Sequence, residues 1–232
     1  AFCIMCISMC MVLLISKKPA EISESSSTET PMTRIKEGLK FIWATPIILA
    51  VLSLDMFAVF FGGAESLLPA FVKKVLNEGS ETFGLLRSAH GIGSLIMMII
   101  LSSIPALLRG NVGPKLLGTV ALFGVCIIAF GLSGNVYLCF GILLLGGAFD
   151  AISMVIRQSI LQIKTPENLK GRVSSVNSIF VSSSNELGAL ESGLAATFFG
   201  LVPGIVFGGI MTILTVIFIA IFIKPIRNVT LS

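Results

Sequence analysis

Long apolar runs alternate with short polar breaks along this chain. Six such runs cover roughly 46–71, 84–108, 114–133, 136–163, 172–199 and 202–224. About 20 helical residues, at 1.5 Å each, cross the roughly 30 Å of bilayer hydrocarbon, so each run predicts one membrane-spanning helix. The breaks between them carry turn residues or charge: KKVLNEGSE, LRGNVGPK, SGN, KTPENLKGR and GLVPG. SGN and GLVPG are short and uncharged, which predicts tight hairpins between antiparallel helices.

The N-terminal part differs. Residues 1–15 are apolar but short for a complete span, with no basic leader before them and no small-residue cleavage site after. They read as the end of a helix that begins outside this sequence. The Ser/Thr/Glu-rich stretch that follows has too little apolar surface to fold alone. From Thr33 an amphipathic pattern starts, with Ile35, Leu39, Ile42 and Trp43 on one side and Lys36 and Lys40 on the other. A helix lying on the membrane surface is expected, with Trp43 at headgroup level. The expected organisation is a helix end at 1–16, a linker with an amphipathic helix at 17–44, a six-helix bundle at 45–224 and a tail at 225–232.

Composition agrees with lipid as the solvent. Of the 232 residues 55% are apolar and only 12% charged, and mean hydropathy is +1.00; a soluble domain carries about 25% charged residues. The fold class expected is therefore an all-α polytopic transmembrane bundle. Cys3, Cys6 and Cys10 could share a helix face, but without histidines or carboxylates nearby they read as small packing residues, as do Cys126 and Cys139. If the linker is cytoplasmic and the helices alternate, 12 of the 16 basic residues fall on the cytoplasmic side and only Lys73 and Lys74 opposite. The positive-inside bias thus predicts a cytoplasmic linker and C-terminus in a cell membrane. It also accounts for the net charge of +4, so a nucleic-acid partner has no support.

The remaining basic residues, Arg87 and Arg157, lie inside apolar runs, together with Asp55, Glu65, Asp150, Glu186, Glu191 and the single histidine, His90. Each charge near the bilayer centre costs about 2.5–3.5 kcal/mol if it faces lipid, so these groups are expected to face a bundle interior or an aqueous path. Asp150 and Arg157 are seven residues apart, on one helix face but too far apart to pair directly, so each needs a partner on another helix. Asp55, Asp150, Arg157, Glu186 and its neighbour Asn185 are the candidates for proton coupling or the substrate path. The other reading of Asp150, Arg157 and Glu186 is a fixed ion network between helices. Glu65, Arg87, His90 and Glu191 are more peripheral candidates: the first reading of Glu65, Arg87 and Glu191 is side chains reaching the interface, and a lone histidine is more often a hydrogen-bonded packing residue than a proton relay. Ser184, Gly188 and Ser192, spaced by four, form a small-residue ridge suited to close helix contact.

No GxxxxGK[ST] phosphate loop, HExxH or GxSxG occurs, so neither a resident ATPase nor a hydrolase site is indicated, and no cofactor or metal is expected. The charges are spread over several helices, which argues against an enzyme built at one interface.

The run GGAFDAISMVIRQSILQIKTPENLKGRVSSVNSIFVSSSNELGALESG resembles the tenth and eleventh helices of a major facilitator subfamily, the one containing enterobactin-type siderophore exporters and macrolide-efflux-like proteins. LDMFAVFFGGAESLLPAFVKKVL and GLLRSAHGIGSL resemble its seventh and eighth helices. The likeness covers about 33–224. Two features depart from the pattern: His90 stands where a proline is expected, and LRGNVGPK is a depleted form of the basic loop between helices 8 and 9. The resemblance implies the C-terminal six-helix half of a twelve-helix transporter, with the end of helix 6 before it. The partners implied are membrane lipid, a small-molecule substrate and the missing N-terminal half. On this match Arg172, in TPENLKGRVSS, is a gating or structural residue rather than a substrate ligand. The function implied is proton-coupled efflux of a small organic compound, such as a siderophore or drug. An importer of a small metabolite, an inactive fragment or a non-transporting scaffold are the alternatives.

Overall fold

The computed structural model describes residues 31–104, 110–223, 226–227 and 229–231. The expected helix end at 1–16 with its three cysteines, and the polar part of the linker, lie outside the described residues. Eight helices are described: α1 (Pro31–Ala44), α2 (Pro46–Phe61), α3 (Ala64–Lys74), α4 (Ser80–Ser103), α5 (Val112–Leu132), α6 (Val136–Lys164), α7 (Lys170–Phe199) and α8 (Leu201–Phe222). A 3-10 turn (Glu167–Leu169) leads into α7, and two short strands, β1 (Gly110–Asn111) and β2 (Thr230–Leu231), complete the elements. The fold is an all-α polytopic helix bundle.

Among the described residues, five spans are long and apolar enough to cross a membrane: Pro46–Lys74, which joins α2 to α3, and α4, α5, α6 and α8. The sequence pattern predicts a sixth at 172–199. Helix α7 is long enough, at 30 residues, but Ser182, Ser183, Asn185, Glu186 and Glu191 make it too polar to qualify by composition. It packs along α2 and α8.

Local chemistry sets the helix ends. Pro46 opens α2, where its missing N–H costs nothing. The Asn135 side chain caps α6, accepting hydrogen bonds from the N–H groups of Tyr137 at 2.9 Å and Leu138 at 3.2 Å. Between α7 and α8 the chain reverses at Gly200, whose φ of +94° few other residues tolerate. The run at 46–71 is interrupted at Gly62–Gly63, and Pro69 lies inside the short helix that follows.

Glycines let the helices approach where burial gives no hydrophobic gain over lipid. A Cβ on Gly93 would collide with the Leu144 carbonyl, and one on Gly147 with the His90 carbonyl, so α4 and α6 touch backbone to backbone. There Ser94 donates a hydrogen bond to the Gly147 carbonyl at 2.9 Å. Gly124 and Gly209 bring α5 and α8 together in the same way. On the predicted ridge of α7, Ser184, Gly188 and Ser192 are all buried, and a Cβ on Gly188 would stand 2.7 Å from the Phe60 carbonyl oxygen.

In helix α1 Ile42 is buried and Lys36 and Lys40 are exposed, while Trp43, grouped with Ile42 by the sequence pattern, is 67% exposed. Its Gly38 packs on the Arg172 carbonyl, and Glu37 forms an ion pair with the Arg172 side chain. The C-terminal residues, expected to be a simple tail, instead fold back onto the start of α5. There β2 pairs antiparallel with β1, and Val112 N–H donates to the Val229 carbonyl at 2.8 Å.

Two buried apolar clusters divide the bundle. One includes Leu54, Val112, Leu116, Ile156, Val173 and Ile219, and the other Phe71, Leu86, Ile127, Phe130 and Ile205. Along α5 the first ends at Val120 and the second begins at Ile127. Most of the intramembrane charges lie in the layer between.

Because Gly147 meets backbone, no side-chain adjustment can admit a larger residue. Gly147→Leu is expected to lower stability by at least about 1–3 kcal/mol, the usual cost of overpacking. Gly141→Ala, on the same helix with open space beside it, is expected to have little effect. Thermal unfolding in detergent compares the two.

Candidate functional site: a charged cavity between the helices

A cavity of about 330 Å³ opens between the two apolar clusters. Its walls come from α2, the Gly62–Gly63 break and α3 to α7. Five charged or titratable side chains line it: Glu65, Arg87, His90, Asp150 and Arg157. Ser66, Ser153, Asn185 and the Phe123 ring complete the polar and aromatic lining.

Two connected groups hold these charges. In the first, Arg157 Nη1 on α6 lies 2.9 Å from Asp55 Oδ1 on α2, and both side chains are about one-tenth exposed. Charges so placed attract strongly at reduced dielectric. The N–H direction does not point at Oδ1, which accepts no aligned hydrogen bond. Nη1 donates instead to Ser153 Oγ at 3.2 Å, and the Ser153 hydroxyl donates to the Asp150 carbonyl at 2.9 Å. The partner that Arg157 needs is thus Asp55, a hundred residues earlier in the chain.

The second group joins α3 to α4. His90 Nδ1 is 3.0 Å from Glu65 Oε1, and Arg87 Nη1, one helical turn before His90, is 3.9 Å from Glu65 Oε2. The other histidine nitrogen, Nε2, is buried without a hydrogen-bond partner. A narrow apolar crevice, walled by Leu86, Cys126, Ile127, Phe130 and Ile142, continues from this trio.

Asp150 stands at the midpoint of α6 and lines the cavity together with Arg157 of the first group and with Glu65, Arg87 and His90 of the second. Its carboxylate has no salt-bridge partner among the described residues. Asn185 lines the cavity, whereas Glu186 next to it is exposed and outside the lining. Glu191 lies on another face of α7, in an apolar groove with Phe60, Phe198, Phe199 and Phe207. Arg172 is at the start of α7, paired with Glu37 of α1 and away from the cavity. No cluster of three potential metal ligands occurs among the described residues.

The sequence marked Glu65, Arg87 and His90 as peripheral, yet all three share the cavity with Asp150 and Arg157. The three-residue step from Arg87 to His90 puts them on one helix face. The contributions of Ser66, Ser153 and Phe123 were missed, because nothing in the sequence sets them apart from packing residues.

Comparison with known families decides the class. Residues 1–229 match the major facilitator family of transmembrane secretion effectors. The chain belongs to the major facilitator superfamily. It is 23% identical over 194 residues to the "Uncharacterized MFS-type transporter YfmI" of Bacillus subtilis (strain 168). The alignment covers 82% of this chain and 47% of that protein, so the chain spans about half the length of the curated relative it matches. No solved structure matches it. This major facilitator chain is therefore a multi-pass membrane protein of a transporter family.

Removing one partner of a buried ion pair strands the other charge, at a cost of about 3–5 kcal/mol, whereas replacing both with apolar groups is often neutral. Asp55→Asn and Arg157→Met are each expected to destabilise the bundle strongly, and the Asp55→Leu/Arg157→Met double variant far less. Thermal unfolding of the four proteins in detergent checks this.

Proposed function

We propose that the chain is the C-terminal six-helix half of a proton-coupled secondary transporter that exports a small organic compound by alternating access. The observation that carries this reading is the charged cavity: acids, bases and an amide from α3, α4, α6 and α7 converge at mid-bundle. Charges turned inward at the level of the bilayer core mark transport paths and proton relays, and transporters of this kind bind substrate near the midplane between their halves. Export is favoured by the family's description as secretion effectors. The 47% coverage of the relative is in keeping with a missing N-terminal half, which would supply the other wall of the cavity.

The exposed face of α7 supports the same view. Ser174, Ser178, Ser182, Asn185 and Glu186 recur along one side at helical spacing, all exposed. Such a stripe is unfavourable against lipid and suits an aqueous path or a second half. Protonation of an acid in the path biases the inward–outward equilibrium, with Asp150 the first candidate and Glu186 and Asp55 the others. Arg172, tied to α1 through Glu37, acts at the gate rather than on substrate. The protein resides in the cell membrane with its linker and C-terminus in the cytoplasm, following the positive-inside distribution.

The test uses the full-length protein in everted membrane vesicles energised to acidify the lumen. Adding catechol siderophores or macrolides is expected to dissipate the pH gradient, and Asp150→Asn is expected to abolish that response. Vesicles holding folded protein that dissipate no gradient with any such compound would contradict proton-coupled export of these classes.

A further inference from the structure

We propose that Glu65 and His90 form a proton-binding site that ties the interrupted segment α3 to α4, closing the bundle when the site is protonated and releasing it when the proton leaves. The proposal rests on the transporter reading above and extends it to residues that sequence placed at the periphery.

Three observations meet at this pair. First, the two side chains bridge separate helices at 3.0 Å through one nitrogen, Nδ1; since Nε2 has no partner, Glu65 is what orients the ring. Second, the two residues differ in how they are held. His90 is anchored, because its carbonyl packs against Gly147 of α6 and its ring lies 6.4 Å from that of Phe123 on α5. Glu65 sits between two weak points of its own helix. The Gly62–Gly63 break lies just before it, and Pro69, four residues later, lacks the N–H that would bond the Glu65 carbonyl. The first turn of α3 is therefore where a side-chain contact can matter most, since Leu68, Phe71 and Val72 already seat the rest of the segment in the apolar core.

The third observation is charge balance. Around the cavity stand three carboxylates, Asp55, Glu65 and Asp150, against two guanidinium groups, Arg87 and Arg157. One more positive charge neutralises the set. The titratable or charged groups facing His90 are Arg87 on its own helix, Glu65 on α3, Asp150 and Arg157 on α6, and Cys126 on α5. Among these, only the imidazole changes charge in the neutral pH range without environmental help. With one proton added, His90 is cationic and its contact with the Glu65 carboxylate becomes an ion pair, adding the attraction of two opposite charges to the hydrogen bond. When that proton leaves to cavity water, a neutral imidazole donates a weaker bond from Nδ1 and the tie to α3 loosens. The tie thus strengthens as pH falls through the imidazole range.

Backbone hydrogen exchange of residues 64–74 in the full-length protein, followed between about pH 5 and 8 and corrected for intrinsic rates, reads this directly and needs no substrate. Exchange is expected to be several-fold slower at the acidic end. That difference should vanish in His90→Gln and in Glu65→Gln and return in the swapped Glu65→His/His90→Glu protein. A wild-type protein whose α3 exchange ignores pH would overturn the proposal. So would a His90→Gln or a Glu65→Gln protein that keeps the wild-type pH difference. Failure here leaves the vesicle assay to judge transport separately, and failure there leaves this readout standing.

Discussion

A charge inside a membrane has to be turned away from lipid, and the Asp55–Arg157 pair is where this chain meets that constraint most completely. The pair spans α2 and α6, is nearly sealed from solvent, and leans through Ser153 on the backbone at Asp150. Two apolar clusters close the bundle on either side of the charged layer. What lies between cannot pack as hydrocarbon, because the charges need water or each other. A cavity at mid-bundle is the result, and the remaining acids and bases open onto it.

The glycines complete that arrangement. In lipid, helices associate through close contact rather than hydrophobic gain. The backbone contacts at Gly93 and Gly147 fix α4 on α6. They thereby hold Arg87 and His90 on one side of the cavity and Asp150 and Arg157 on the other. Gly188 does the same for α7 on α2, which brings Asn185 to the lining. In contrast, α3 has a glycine break at one end and a proline inside. The wall at α3 is thus the one whose helix is interrupted, although Leu68, Phe71 and Val72 still seat it in the apolar core.

Much of the fold was legible in the sequence. Hydropathy and the turn residues at SGN and GLVPG located the long helices to within a few residues, since the bilayer imposes both length and composition. The break at Gly62–Gly63 escaped because the apolar run continues through it, although the glycine pair itself was a usable signal. The fold-back of the C-terminal strand onto Gly110–Asn111 escaped because it joins residues over a hundred positions apart. At the site, sequence identified which residues are costly in lipid and predicted that Arg157 pairs across helices. It did not predict which partner, nor that Glu65, Arg87 and His90 join the same cavity, because depth along a helix says nothing about which face meets which neighbour. Glu186 shows the same limit: mid-depth marked it, yet its neighbour Asn185 is the one that faces the cavity.

The central claim is that the charged layer encloses a water-accessible path, and side-specific thiol labelling in intact and everted membranes tests it most directly. In full-length protein with its native cysteines replaced, Ser66→Cys and Ala189→Cys, both on the cavity wall, should react with membrane-impermeant maleimides. The side from which they react should shift when substrate or a pH gradient is applied. Leu145→Cys and Ile217→Cys, on exposed apolar faces, should stay unreactive from both sides. Cavity positions as inert as the lipid-facing ones, in protein shown to be folded, would mean that the layer is a closed ion network and not a path.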